Sequence, residues 1–198
     1  MIEHRPWIGP DYRRGIDGQR VMIVGYSHYL REDTDQDGAT EDIINRITIK
    51  RETWGAFFTA IPKYFDFDDR VEFWNRVMFF NFIPECVGSK EKKFANGTSG
   101  QVERARERFV RLIRDAKPKP DRVLVLTTKG WRHCQQALRE AGAEQCAATC
   151  NEAESPLHYR YNVNGHTTRI LGLRHPQGAK NAQMAESVRS FLMEGYGA

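Results

Sequence analysis

The sequence has no long apolar segment. None of its hydrophobic runs approaches the roughly 18 residues that a membrane-spanning helix needs. Its polar N-terminus also lacks the apolar core of a secretion signal. Both absences argue against an integral membrane protein and against a secreted one. We therefore expect a cytoplasmic protein with no membrane partner.

The sequence also has few cysteines. They are Cys86, Cys134, Cys146 and Cys150, and no two of them form a C-x-x-C pair. In a cytoplasmic chain such residues are expected to be free or buried thiols rather than disulfides. A metal site that combines His133 with the last three cysteines is conceivable, but its spacing is irregular. We predict no metal and no cofactor.

Two phosphate-binding motifs are missing. The chain contains neither G-x-G-x-x-G nor G-x-x-x-x-G-K-[ST], which counts against dinucleotide and nucleoside triphosphate chemistry. The D-x-D-x-D-G segment at 33–38 resembles the start of an EF-hand loop. Ile44, however, occupies the position that needs a bidentate glutamate. We interpret the segment as a solvated acidic loop rather than a calcium site.

The rest of the composition is typical of a soluble globular protein. The chain has 198 residues, 40% of them hydrophobic, which is enough for one self-sufficient core. We predict a single domain over residues 1–198 and a monomer. The net charge of +4 permits an anionic partner such as nucleic acid without demanding one.

Four short apolar runs, at about 20–25, 77–80, 123–126 and 170–173, each end in a polar or aromatic segment. Continuous apolar runs of this length are typical of strands buried on both faces, as in parallel sheets. Helical patterns lie between and after these runs. One begins at residue 40, and others cover 52–61, 68–76 and 101–116. A further one follows the third run and ends at about residue 141, and the last covers 181–193. Asn164-Gly165 predicts a hairpin between 159–163 and 167–173.

This order of elements predicts an α/β fold, a three-layer α/β/α sandwich around a central, mainly parallel four-stranded sheet. The stretches 1–19 and 143–157 are predicted to be irregular. Parallel strands end at one edge of the sheet, so the segments that follow them should meet there. They are G-Y-S-H-Y at 25–29, N-F-I-P-E at 81–85, T-T-K-G-W at 127–131 and R-H-P-Q-G at 174–178.

Three of these segments resemble motifs of the uracil-DNA glycosylase superfamily. Members carry G-Q-D-P-Y-H or G-E-A-P-G after an early strand, an asparagine at the end of an apolar strand, and a late H-P-S. Here V-G-Y-S-H-Y at 24–29 stands in the first place, F-F-N ending at Asn81 in the second, and R-H-P-Q at 174–177 in the third. The order and the strand context agree from about residue 20 to 193.

The resemblance implies a uracil-DNA glycosylase-like fold and a monofunctional DNA glycosylase. Such an enzyme hydrolyses the N-glycosidic bond of a flipped-out base, here uracil or a modified pyrimidine, and leaves an abasic site. Asn81 would read the Watson–Crick edge of the base, and His175 would stabilise the negative charge that grows on the departing base. The expected substrate-binding residues are Gly25, Tyr26, His28, Tyr29 and Phe82. Of these, Tyr26, Tyr29 or Phe82 would stack on the base.

The first motif departs from the family pattern at the residue that positions and activates the attacking water. Ser27, the third predicted catalytic residue, stands where the G-Q-D-P-Y-H branch has an aspartate that positions and activates water. Either a carboxylate of the loop at Asp33, Asp35 and Asp37, or Glu85, takes over this role, or Asn81 and His175 act with a bound water. The iron–sulfur branch has two cysteine ligands near its N-terminus. This chain has no cysteine before residue 86, so no cluster is expected.

We predict DNA as the partner. The expected phosphate-binding residues are Lys90, Lys92, Lys93 and Lys180. The arginines at 104, 108 and 111 share a face of the helix at 101–116, which is either a further phosphate contact or an ordinary solvated face. Structural roles also remain open for His175 as a capping or core histidine, for Asn81 as a strand end, and for Tyr26 and Tyr29 as packing aromatics.

Several functions therefore remain open. The first is a glycosylase, which acts on uracil or on modified cytosines of phage DNA, the latter in antiviral defence. The second is a catalytically inactive module of the same fold that only binds nucleic acid. The third is an unrelated α/β enzyme that acts on a phosphorylated small molecule.

Overall fold

The computed structural model describes residues 2–29, 35–50, 52, 56–89, 95–147, 153–176 and 181–193. Its elements, in chain order, are β1 (Trp7–Ile8), β2 (Val21–Gly25), α1 (Ala39–Thr48), α2 (Ala56–Tyr64), α3 (Arg70–Asn75), β3 (Val77–Asn81), α4 (Ser99–Asp115), β4 (Arg122–Val125), α5 (Thr128–Glu140), β5 (Glu144–Ala147), β6 (Ala153–Val163), β7 (His166–Leu173) and α6 (Asn181–Met193). Strands and helices are mixed, as predicted for an α/β fold.

The centre of the sheet is parallel. The order of strands is β1-β3-β2-β4-β7-β6-β5, and β3, β2, β4 and β7 pair in parallel. These are the four strands predicted from apolar runs, and every residue of β2, β3 and β4 is buried. The predicted hairpin joins β6 to β7, and Asn164 and Gly165 both have positive φ, at 51° and 75°.

The described sheet has seven strands rather than the predicted four. Strands β1, β5 and β6 add to its two sides in antiparallel pairs. β1 lies within 1–19, and β5 and the start of β6 lie within 143–157, both of which were predicted to be irregular. The rest of β6 contains the predicted hairpin arm at 159–163. β1 and β5 are short edge strands held by pairing with a neighbour, and a pattern based on continuous apolar runs does not detect them.

Helices cover both faces of the sheet. Side chains alternate along each strand, so Ile23 and Phe79 pack with α1, α2, α3 and α6, whereas Met22 and Phe80 pack with α4 and α5. The core is therefore divided into two apolar clusters, one on each face. Among the described helices, none combines the length and the apolar character needed to cross a membrane.

Helix α2 continues past Pro62, although the sequence predicts its end at residue 61. Proline has no N–H, so it leaves the carbonyl of Phe58 without its helical donor. The indole Nε1 of Trp74 donates to that carbonyl at 3.2 Å and replaces the missing bond. The helix therefore reaches Tyr64, and its first turn carries Phe57 to the site described below.

Candidate functional site

The site starts from the ends of two neighbouring strands. Gly25 of β2 lies opposite Asn81 of β3 in the parallel register. A Cβ atom at position 25 would overlap the side-chain oxygen Oδ1 of Asn81. Only glycine therefore allows the amide of Asn81 to lie across the end of β2, and this explains why a glycine follows the apolar run.

The amide of Asn81 is buried and incompletely hydrogen-bonded. Only 5% of the residue is exposed, and its Nδ2 has no hydrogen-bond partner in the described part of the chain. A buried donor without an acceptor costs about 1–3 kcal/mol, and such groups in native proteins need a specific explanation. A ligand that accepts a hydrogen bond here would remove this cost.

Phe57 lies beside this amide, and His175 lies beside Phe57. The Cζ atom of Phe57 is 3.6 Å from where a Cβ of Gly25 would be, and its ring centroid is 5.3 Å from that of His175. Both rings are partly exposed. Neighbouring contacts thus link four residues, from β2, β3, α2 and the segment after β7, at the carboxyl edge of the sheet. We call Gly25, Phe57, Asn81 and His175 the exit cluster.

The imidazole of His175 is neutral at neutral pH. Its partial burial disfavours the charged form and lowers its pKa below the ordinary value of 6.5. A neutral imidazole has one N–H donor and one acceptor nitrogen. It can therefore donate a hydrogen bond to an oxygen that gains negative charge, without carrying a charge of its own.

Tyr26 lies on the opposite face of the sheet from Phe57. It packs with the α4 and α5 cluster, and its hydroxyl accepts a hydrogen bond from the backbone N–H of Gly97 at 3.1 Å. The ammonium of Lys129 lies 5.8 Å from its ring centroid. Tyr26 therefore fastens the exit of β2 to the start of α4, and its ring is not directed at the exit cluster.

Two other predicted substrate-binding residues are largely internal. His28 is 8% exposed, and its Nε2 is 3.0 Å from the hydroxyl of Thr40 on α1. Phe82 is fully buried, and its ring stacks on that of His133 at 6.0 Å between centroids. As placed, Phe82 offers no accessible face for a base. Ser27 and Tyr29 are half-buried in the same exit segment.

The arginines that share one face of α4 are engaged in contacts within the protein. Arg108 is 2% exposed, and its Nη1 donates to the backbone carbonyl of Asn81 at 3.1 Å. Its Nη2 donates to the carbonyl of His4, and its Nε donates to the carboxylate of Glu3 at 3.1 Å. Arg111 pairs with the same carboxylate at 2.7 Å. These arginines fasten the N-terminal segment to α4 and to the end of β3.

The candidate carboxylates for water activation are already engaged. Glu85 pairs with Arg104 at 2.6 Å, and Asp37 accepts a hydrogen bond from the backbone of Glu3 at 2.9 Å. Asp35 accepts from the backbone N–H of Cys86 at 2.7 Å. Asp33 lies outside the described residues.

The carboxyl pKa of Asp35 is lowered overall. Burial by itself would raise it, but hydrogen bonds from Cys86 and from His4 outweigh the burial. Asp35 therefore stays ionised well into the acidic range. Such a group anchors its neighbours rather than accepting a proton from water.

The predicted phosphate-binding lysines, Lys90, Lys92, Lys93 and Lys180, all lie outside the described residues. Two other cations stand at the carboxyl edge, in segments that the sequence predicts to meet there, but the sequence analysis assigned them no phosphate contact. Lys129 follows β4 and Arg174 follows β7, and both are exposed.

Sequence reasoning missed Phe57 as a site residue, because the helical pattern at 52–61 does not distinguish it from its neighbour Phe58. Phe58 is 8% exposed and packs on Trp74 and Phe79, whereas Phe57 is partly exposed and faces His175. Two adjacent helical residues point about 100° apart. The sequence does not tell which of them turns outward, and no local signal would have identified it.

A scan against protein-family models and a search of curated proteins both returned no match for this chain. Its candidate function therefore depends on the geometry of the exit cluster and on the motif resemblance.

Proposed function

We propose that this protein is a divergent member of the uracil-DNA glycosylase superfamily that hydrolyses the N-glycosidic bond of a flipped-out pyrimidine in DNA. The observation that carries the proposal is the amide of Asn81, which lies across Gly25 and whose Nδ2 has no partner in the described part of the chain. Phe57 lies beside it, and His175 lies beside Phe57. Uracil and modified cytosines are the proposed bases.

The amide suits the edge of a pyrimidine. Its Nδ2 donates to a base carbonyl, and its Oδ1 accepts from a ring N–H of uracil or from an exocyclic amino group of cytosine. Recognition of this kind requires the base to leave the duplex stack. A base bound here would satisfy the donor of Asn81 that has no partner in the described protein.

Phe57 and His175 supply the two other contacts that base release needs. The partly exposed ring of Phe57 is placed to stack on the base, in the role that the sequence suggested for Tyr26, Tyr29 or Phe82. Negative charge grows on the base as the bond from its nitrogen to C1′ of the sugar breaks. A neutral His175 that donates to the base carbonyl stabilises this charge. Water adds to C1′, and the proton that it loses ends on the released base, so the products are the neutral base and an abasic sugar.

The proposal of DNA as the partner is supported by positive charge at the same edge of the sheet. The exposed cations Lys129 and Arg174 follow β4 and β7, and we expect them to contact phosphates near a flipped nucleotide. The lysines predicted at 90–93 and 180 remain predicted contacts.

The test is an oligonucleotide assay. Single- and double-stranded DNA with uracil, hypoxanthine or a modified cytosine is incubated with the protein and then treated with alkali, which cuts at abasic sites. We expect scission for at least one base. Asn81→Ala and His175→Ala should each reduce the rate by about 10²–10³-fold, the usual effect of removing a donor to a developing anion.

The chain offers matched controls. His166 stands at the first residue of β7, whereas His175 follows its last residue, and Asn162 lies near the same hairpin end. His166→Ala and Asn162→Ala should therefore retain the wild-type rate. Loss of activity in these variants too would point to unfolding rather than to chemistry.

A second candidate is a module of this fold that binds nucleic acid without catalysis. It is favoured by Ser27 at the place of the aspartate and by the engagement of Asp35, Asp37 and Glu85 in other contacts. Salt-dependent DNA binding without release of any base would support it. The absence of both binding and scission would reject both candidates.

A further inference from the structure

A second cluster of reactive side chains lies away from the exit cluster. His4, Asp35 and Cys86 come from the N-terminal segment, from the segment before α1, and from the loop after β3. One donor atom of each lies within 4.8 Å of the other two. The Nε2 atom of His4 is 2.7 Å from Oδ1 of Asp35, and 1% of His4 is exposed.

The donor types define a class of ligand. An imidazole, a carboxylate and a thiol are the groups that bind Zn²⁺ in proteins, whereas Mg²⁺ and Ca²⁺ prefer oxygen alone. Zinc ligands lie about 2.0–2.3 Å from the metal, so tetrahedral neighbours are about 3.6 Å apart. The separation of 2.7 Å between His4 and Asp35 would have to widen by about 0.9 Å, and the others, which are at most 4.8 Å, would have to close by at most about 1.2 Å.

The geometry of His4 shows which ring nitrogen faces the other two donors. Its Nε2 lies 2.7 Å from Oδ1 of Asp35, so Nε2 is the atom that would bind a metal in this cluster. The ring is held in this orientation by burial and by the ring of His28, whose centroid is 5.5 Å away. An imidazole that is fixed in this way needs little rearrangement to act as a ligand.

We propose that His4, Asp35 and Cys86 bind one Zn²⁺ ion, with water in the fourth position. Binding releases the proton of the Cys86 thiol and converts it to a thiolate. The oxidation state of the metal does not change. The carboxylate of Asp35 keeps its hydrogen bond from the backbone of Cys86 through Oδ2 and binds the metal through Oδ1.

The ion would act on structure rather than on the reaction. The carbonyl of His4 accepts a hydrogen bond from Arg108, which also donates to the carbonyl of Asn81. A metal at His4 would therefore hold the N-terminal segment and Arg108 in place behind the exit cluster. The site does not depend on the proposed function, because it would bind zinc whatever the exit cluster accepts.

The test uses the full chain after treatment with a chelator and then dialysis. Titration with Co²⁺, which replaces Zn²⁺ and absorbs visible light, should give a one-to-one complex with tetrahedral bands and a thiolate-to-cobalt band in the near ultraviolet. Zn²⁺ should displace Co²⁺ and raise the melting temperature. Mg²⁺ and Ca²⁺ should leave both unchanged.

Variants assign the ligands. Cys86→Ser should remove the thiolate band and weaken Co²⁺ binding by at least about 100-fold, because even a group that only orients a ligand contributes about 10–100-fold. His4→Gln and Asp35→Asn should weaken binding as well. Cys146→Ser, at a half-buried cysteine of β5, should leave the spectrum unchanged.

The wild-type spectrum decides the proposal even if a variant fails to fold. No cobalt band in the wild-type protein would overturn it. A band that persists in Cys86→Ser, or disappears in Cys146→Ser, would overturn the assignment to this cluster.

Discussion

The two sides of Asn81 show two different uses of polar groups. Its side chain lies in the exit cluster, where the amide nitrogen has no described partner. Its backbone carbonyl accepts a hydrogen bond from Arg108, which also binds Glu3 and the carbonyl of His4. We call Glu3, His4, Arg108 and Arg111 the N-terminal clamp.

This difference in hydrogen bonding distinguishes the N-terminal clamp, which supports the fold, from the exit cluster, which is the candidate site. In the clamp most of the donors meet acceptors within the chain, and a buried charge with partners fixes the position of its neighbours. In the exit cluster a donor is held in place without an acceptor, which costs stability unless a ligand arrives. Variants of the clamp should therefore lose stability, and variants of the exit cluster should lose function.

The largest expected effect on stability belongs to Arg108→Met. It should lower the free energy of unfolding by about 3 kcal/mol, because two buried carbonyls and the Glu3 carboxylate lose their donor; Glu3 is half exposed, which limits the loss. The matched control is Arg111→Met, an exposed partner of the same carboxylate, for which we expect less than about 1 kcal/mol. Urea unfolding measures both, and equal losses would contradict the contrast.

A smaller effect is expected for Gly25→Ala. The added Cβ overlaps the amide of Asn81, which must move, at a cost of about 2 kcal/mol. The proposed release of a base should fall as well, because the displaced amide would no longer face that base. Gly100→Ala, whose Cβ would meet no atom closer than 3.6 Å, should keep both stability and function. A well-folded and active Gly25→Ala variant would show that the amide need not cross Gly25.

Asn81→Ala should have almost no effect on stability. It removes an amide whose nitrogen has no described partner, so the free energy of unfolding should change by less than about 1 kcal/mol. The same variant should lose activity, as stated above. A loss of more than about 2 kcal/mol would instead assign Asn81 to the scaffold, together with the clamp.

The smallest effect concerns pH. The pKa of His175 in the folded protein lies below 6.5 because of burial. The stability linked to this group is therefore complete above the unfolded pKa, and it declines as the pH falls through 6.5 towards the folded value. An NMR titration of the His175 ring, assigned with His175→Gln, should give a midpoint below 6.5 in the folded protein and near 6.5 in urea. A folded midpoint above 6.5 would mean that a charged imidazole faces the exit cluster.

The centre of the fold could be predicted from the sequence, and its margins could not. Val21–Gly25 and Val77–Asn81 are continuous apolar runs, and burial on both faces leaves such a mark in the sequence. The pairs Trp7–Phe79 and Cys146–His158 belong to edge strands. Their position depends on a distant partner, which local composition does not encode.

The candidate site divides in the same way. Gly25, Asn81 and His175 follow predicted strands, so their common edge could be inferred. Phe57 depends on the rotation of α2, and Arg108 depends on where the N-terminal segment crosses α4. Both are tertiary effects. They explain why Arg108, for which the sequence left a phosphate contact and a solvated face open, is in fact a buried support.

The contact between Gly25 and Asn81 also constrains how the sequence can change over evolution. A side chain at position 25 and the present conformation of the amide at position 81 exclude each other. Homologues that acquire a larger residue at 25 should therefore carry a shorter or reoriented residue at 81, and the two positions should covary. A shift in base preference along this lineage would then need paired substitutions, with an intermediate that is both less stable and less active.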